Sequence, residues 1–171
     1  MKKLHIAFLV VCLTIILLGT YAGTIILSVT SISASMDDPA FAYHITGNPV
    51  TGYDGYIEVS VPVVISNGGF YAIKNLQVDI EIHIVDMEYT DQLDGTKTGE
   101  GSNAIGDIAG GTTWSGMVTV NIQENIAVLA VQNGNLHVIV NIAVGYDIIL
   151  VTVPYQTRVT ADVPYTAPYH V

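Results

Sequence analysis

The sequence predicts a mainly β fold: an antiparallel, immunoglobulin-like β-sandwich of about seven or eight strands, preceded by one N-terminal hydrophobic α-helix. Three observations carry this. Residues 4–35 contain no Asp, Glu, Lys or Arg. The rest of the chain breaks into segments of apolar–polar alternation, separated by Gly, Pro, Asn and Asp at intervals of about ten residues. No segment beyond residue 35 is helical and long enough to cross over between parallel strands. A closed barrel would share the same strand spacing.

The apolar stretch is entered through Lys2 and Lys3 and left through Asp37 and Asp38. A hydrocarbon core of about 30 Å needs roughly 20 helical residues, and residues 6–26 supply them. The candidate anchor residues are Ile6, Phe8, Leu9, Val10, Leu13, Ile15, Ile16, Leu17, Leu18, Ile25 and Ile26, with the lipid bilayer as their partner. Gly19 and Gly23 interrupt the run, which lipid tolerates because a helix satisfies its own backbone. Their spacing also permits close helix–helix contact and self-association. The alternative is a cleaved signal peptide, which the basic start and the small-residue run Ser31-Ile32-Ser33-Ala34-Ser35 fit. The apolar core of such a peptide is usually about 7–15 residues, shorter than this one. Cys12 lacks the small-residue context of a lipoprotein cleavage box and reads as a small apolar residue. No basic residue follows the stretch until Lys74. The positive-inside rule therefore puts the N-terminus in the cytoplasm and the β-domain outside, at the cell membrane.

Charge narrows the partners. All 15 acidic residues follow the stretch, against three cations, Lys74, Lys97 and Arg158, which leaves the exterior part at −12. That balance excludes nucleic acid, whose phosphates require basic surface. The exterior part has no cysteine, so its stability must come from its core rather than from disulfides.

Taken in order, the chain divides into an anchor or long signal sequence (1–35), a linker with a first strand (36–55), the sandwich (56–163) and a Pro/Tyr-rich tail (164–171). Asp37-Asp38-Pro39 ends the helix, residues 41–45 alternate, and Gly47-Asn48-Pro49 and Tyr53-Asp54-Gly55 are turns. Over 56–66, Ile57, Val59, Val61, Val63 and Ile65 share one face. Pro62 removes one ladder donor there, so the strand lies at an edge or pairs through its other side at that point. Residues 75–86 alternate strictly, with Leu76, Val78, Ile80, Ile82 and Ile84 opposite Gln77, Asp79, Glu81 and His83. Residues 87–111 are polar and glycine-rich, with a hairpin signal at Asp94-Gly95 and a short strand over 104–108. Residues 112–122 place Trp114, Val118, Val120 and Ile122 inward. Residues 124–131 suit one or two helical turns stopped by Asn133-Gly134. Residues 136–144 alternate, 147–153 are a continuous apolar run, and 155–163 form a last strand. The tail is too rich in proline to pair and is expected to be mobile.

Two phrases in this layout carry a resemblance: Val61-Pro62-Val63-Val64-Ile65-Ser66-Asn67, and Ile73-Lys74-Asn75-Leu76-Gln77-Val78. A third, Ala104-Ile105-Gly106-Asp107-Ile108-Ala109-Gly110-Gly111-Thr112-Thr113, leads into an alternating strand. With them the region 56–163 resembles the late-embryogenesis-abundant type 2, or water-stress-hypersensitive, domain. The chain is also similar to membrane-anchored exterior proteins of archaea that carry such a domain. Asn67 is followed by Gly68-Gly69 where that family has an Asn-Pro step. The resemblance implies a non-enzymatic sandwich associated with membranes or stress tolerance, and it brings no catalytic residue.

The residues themselves point the same way. His44, His83, His137 and His170 lie in strands or the tail, with no exterior cysteine and no Gly-x-Ser-x-Gly elbow to supply a nucleophile. No enzyme activity, catalytic residue or cofactor is expected. Glu81, His83 and His137 would share an outer face if their strands are neighbours, which offers zinc ligands. Asp86, Glu88, Asp91, Asp94 and Glu100 are candidate calcium ligands, although their spacing is not that of an EF-hand. The exterior tyrosines suit either protein contacts or half-buried strand positions. The expected function is a single-pass anchored exterior sandwich with a structural or protein-contact role. The alternatives are a pilin-like filament subunit and a calcium- or ligand-binding exterior module.

Overall fold

The computed structural model describes residues 2–148 and 151–170. It contains helix α1 (Lys2–Thr30) and strands β1 (Ile32–Met36), β2 (Ala40–Asn48), β3 (Gly52–Asn67), β4 (Ile73–Val85), β5 (Lys97–Ile108) and β6 (Thr112–Ile122). A short α2 (Ile126–Leu129) then precedes β7 (Gly134–Ile148) and β8 (Val151–Tyr165). All pairing is antiparallel, in two four-stranded sheets. One holds β1, β2, β3 and β6; the other runs β5-β4-β7-β8. The fold is therefore the expected sandwich rather than a barrel.

The alternating patterns place the core between the sheets. Ile57, Val59, Val61, Val63 and Ile65 from β3 meet Leu76, Val78, Ile80, Ile82 and Ile84 from β4, each at most 1% exposed. Leu136, Val138, Val140 and Ile142 of β7 complete the layer on one side, and Val118, Val120 and Ile122 of β6 on the other. Trp114 is only partly buried and lies over Gly116, where a Cβ would stand 2.4 Å from its ring.

Pro62 resolves in favour of the second alternative. It pairs with Met117 of β6. On its other side the register slips by one residue between Met36↔Val63 and Ala40↔Ser60. Asp37-Asp38-Pro39 fills that slip, and the Asp37 amide donates to the Pro62 carbonyl (3.2 Å). The donor that Pro62 lacks thus falls where β1 and β2 are interrupted, and no ladder bond is lost.

Several elements run longer than the sequence patterns indicated. Residues 32–36 are a strand of the first sheet rather than the end of the helix, because Ile32, Ala34 and Met36 alternate inward against Ser33 and Ser35. β5 begins at Lys97 rather than near Ala104, through a stretch whose glycines hid it. A Cβ on Gly99 or Gly101 would sit 3.0 Å or 2.9 Å from Val120 of β6, so these glycines let β5 approach the other sheet closely. Within the apolar run 147–153, Ile149 and Leu150 lie outside the described residues, and the flanking Ile148 and Val151 pair as the end of a hairpin.

The tail is not mobile. Tyr165 is 2% exposed and its hydroxyl donates to the Leu129 carbonyl (2.6 Å). The Ala167 amide donates to Asn133 Oδ1, and the Tyr169 amide donates to Ala130. Tyr169 stacks on Tyr53 with ring centres 5.4 Å apart and its hydroxyl donates to Ile45. Pro164 and Tyr165 still pair with Asn135 and Gly134 as the end of β8, and beyond them side chains and two amides do the anchoring.

The register makes a sharp expectation. Ile80 is fully buried, whereas Asp79 on the outer face only accepts a bond from Gln77 (2.9 Å). Ile80→Asp is expected to abolish the cooperative denaturant transition, since an unpaired buried charge costs several kcal/mol. Asp79→Ala should shift stability by less than about 1 kcal/mol. Equal, mild effects would overturn the register.

Candidate functional site at the junction of helix and sandwich

Helix α1 has two faces of different character. Its segment Val10–Thr30 spans 21 residues at mean hydropathy 2.3, long and apolar enough to cross a membrane. Ile15, Ile16, Leu17, Leu18, Ile26 and Leu27 are each 59–63% exposed. The other face lies in the last three turns, where Tyr21, Thr24, Ile25, Ser28 and Val29 recur at helical spacing and are shielded by the sandwich.

What shields them is the loop from β3 to β4. Ser28 is fully buried, and its Oγ accepts from the Phe70 amide (2.8 Å). The Gly68 amide donates to the Ser31 carbonyl (3.0 Å). The Tyr71 hydroxyl meets Thr24 Oγ1 at 3.1 Å, one turn nearer the N-terminus, and its ring lies edge-on to Tyr21 at 6.3 Å. Gly69 is required by contact: a Cβ there would lie 2.7 Å from the Ser28 Cα, with backbone as the obstacle. Ser31 alone separates α1 from β1.

Asn67 organises this loop from beneath. It is fully buried at the end of β3. Its Nδ2 donates to the carbonyls of Tyr71 (2.8 Å), Ile108 (3.2 Å) and Ala109 (3.2 Å), and its Oδ1 accepts from the Gly69 amide (3.2 Å). Its carbonyl accepts from Gly111 (2.7 Å). One side chain thereby joins the β3–β4 loop to the β5–β6 turn. Beside it, Asp107 accepts from Lys74 Nζ and from the amide of Asn75, which holds a positive φ of 52°. The Lys74 hydrogen bond, then the Asn75 amide, hold the Asp107 carboxyl below its ordinary pKa.

The candidate metal ligands do not gather. Glu88 pairs with His170 (2.7 Å), and the Tyr89 hydroxyl bond and then His170 lower its pKa. Glu100 pairs with Lys97 on β5 (2.6 Å). Asp86 holds a positive φ of 48° just after β4, and Asp91 and Asp94 lie in the turn that follows. His83 and His137 are indeed direct cross-strand neighbours. Their Nδ1 atoms are engaged elsewhere, with the Gly95 carbonyl (3.0 Å) and Asp162 (2.5 Å), and Glu81 stands 3.5 Å from His83 Nε2. Among the described residues no three His, Cys, Asp or Glu converge as a metal would need. The outer face of the second sheet carries shallow open hollows around Asp79 and Asn141.

Of the anchor residues named from the sequence, Val10, Leu13, Ile15, Ile16, Leu17, Leu18 and Ile26 lie exposed on α1 and Ile25 turns partly toward the sandwich. Ile6, Phe8 and Leu9 belong to the same helix. Sequence reasoning missed the roles of Ser28, Thr24 and Asn67. The available signal was the hydroxyl-bearing set Tyr21, Thr24 and Ser28, three and four residues apart in an otherwise apolar run.

No family model matches the chain, and no curated protein matches it. Among solved structures it is similar to the ApaA protein of Bordetella pertussis, at 11% identity and a TM-score of 0.47 over 81% of this chain and 94% of that one. It is also similar to a protein of Archaeoglobus fulgidus, at 9% identity and 0.40 over 77% and 98%. A late embryogenesis abundant protein is a third, at 19% identity and 0.39 over 88% and 81%.

Two outcomes follow from this geometry. Asn67→Ala is expected to cost about 2–4 kcal/mol in denaturant unfolding, since it strips hydrogen bonds from the Tyr71 and Ile108 carbonyls and the Gly69 amide. A cost below about 1 kcal/mol would mean that water replaces the amide without loss. Calcium at matched ionic strength is expected to leave the melting temperature unchanged. A calcium-specific rise abolished by Asp91→Asn with Asp94→Asn would reverse that conclusion.

Proposed function

We propose that the chain is a single-pass membrane protein whose β-sandwich stands outside the cell membrane, with a cytoplasmic N-terminus and a non-enzymatic structural or protein-contact role. The observation that carries this reading is the joint between α1 and the sandwich. A bare apolar helix requires lipid or other apolar helices around it. Cleavage near Ala34 would cut β1, where Ala34 pairs with Ile65, and would uncover the loop that Ser28 and Thr24 hold. A signal sequence destined for removal has no need of such a seat, so the helix is read as retained. Lys2 and Lys3 before the span, with no Lys or Arg after it until Lys74, support the orientation.

The stress-related part of the proposal rests on the sequence phrases that resemble the late-embryogenesis-abundant type 2 domain. The first of these ends on Asn67, around which the joint is built. A filament subunit is the second reading, favoured by the way the bare helix runs straight into the β-domain. A mature N-terminus cut near Lys3 would support it over the anchor.

Membranes carrying the protein should retain it through alkaline carbonate extraction. An amine reagent that does not cross membranes, applied to intact cells, should modify Lys97, which is 48% exposed at its side chain, and spare Lys2 and Lys3. Release by carbonate would overturn the anchor. Labelling of Lys2 and Lys3 with Lys97 spared would overturn the orientation.

A further inference from the structure

We propose that the β3–β4 loop is a second membrane-contact element, in which Phe70 inserts into the interfacial layer of the leaflet from which α1 emerges. This rests on the anchored reading and adds to it a surface that no part of α1 provides. Phe70 is 76% exposed at a loop tip, a position where chains ordinarily place Gly, Asn or Ser. Its backbone is pinned on both sides. Its amide is held by Ser28, and Gly110 packs so closely that a Cβ there would lie 2.6 Å from the Phe70 carbonyl oxygen.

Depth along the helix identifies the occupant as lipid. The 29 residues of α1 rise about 43 Å, more than the hydrocarbon core of about 30 Å. Counted from Lys3, Ser28 stands about 38 Å along, which is the depth of the far headgroup layer. Phe70 is hydrogen-bonded at the level of Ser28, and Ile26 and Leu27, within one turn, are 63% and 59% exposed. A medium that suits those two residues surrounds Phe70 as well. Tyr21 and Tyr71 lie one to two turns deeper, where amphipathic rings collect at the boundary of hydrocarbon and water.

Charge agrees with this placement. Residues 67–73 carry none, Lys74 and Asp107 beside them pair with each other, and Asp147 follows the Ile73↔Tyr146 pair at the same end. Asp54, Asp86, Glu88, Asp91, Asp94 and Glu124 lie at the opposite end of the strands, away from an anionic surface. The β7–β8 pairing also reaches the Phe70 end, at the Ile148↔Val151 pair.

The test uses the full chain in phosphatidylcholine vesicles containing a lipid with a headgroup-level nitroxide. A fluorophore is attached in turn to Phe70→Cys, Leu17→Cys and Val50→Cys, each in a Cys12→Ala background; Val50 is 94% exposed in the turn at the far end. Position 70 should be quenched by the lipid nitroxide several-fold more than position 50, and protected from aqueous iodide to match. Iodide quenching of position 70 equal to position 50, with position 17 buried in lipid, would overturn the loop contact and leave the anchor standing. Exposure of position 17 to iodide would instead overturn the anchor itself. Protection at position 70 without lipid quenching, rising with protein density, would replace lipid by a second copy and overturn the inference.

Discussion

The joint between helix and sandwich depends on the buried amide of Asn67. Three backbone carbonyls from two different loops converge on its Nδ2, while its Oδ1 holds the amide of Gly69. Only a short side chain that carries both donors and an acceptor meets that demand. Aspartate would face three carbonyls with negative charge, and alanine would take the amide donor from Tyr71 and Ile108 while Ala109 keeps its bonds from Thr112. Gly68 and Gly69 then lie flat against the helix because neither has a side chain to hold it off. The tripeptide Asn67-Gly68-Gly69, which as sequence says only that the chain turns, is the fastening of α1.

The sandwich closes by different means along its two sides. Beside β5 and β6 the sheets approach through glycine, with Gly99 and Gly101 against Val120. Beside β2 and β8 they are held apart by aromatic rings, Phe41 and Tyr43 both packing edge-on against Tyr165. The tail belongs to this second side. Burial pushes the Tyr165 hydroxyl well above its ordinary pKa, with Tyr43 adding a smaller push, so it remains a neutral donor to Leu129.

The strands β3, β4 and β7 were legible because each alternates without a break over five inward residues, a pattern that no helix face reproduces. Pro62 was legible as a constraint but not as a solution, since the gap that receives it lies in another strand. Residues 32–36 read as a helix end or cleavage site because Ser, Ile and Ala satisfy a small-residue pattern as readily as a short edge strand. β5 was hidden by its glycines, which lower strand propensity and are present for inter-sheet contact, a relation that only the folded form contains. The candidate site was less legible than the fold. Hydroxyls at 24 and 28 in an apolar helix normally bond back to their own backbone, and Thr24 also does so to the Tyr21 carbonyl (2.7 Å). Their contacts with Tyr71 and Phe70 span more than forty residues of sequence.

The single residue between α1 and β1, with the seat beside it, leaves little free chain to act as a hinge. A membrane helix answers changes in bilayer thickness by tilting. In a flexibly tethered protein that tilt is lost in the tether. Here a tilt of about 20° would swing the far end of a 13-residue strand such as β4, roughly 44 Å long, through about 15 Å. Under the anchored reading proposed above, the sandwich would be geared to its helix as a pointer is to a dial, and the loops around Val50 and Tyr89 would register the thickness of the membrane at the other end of the molecule.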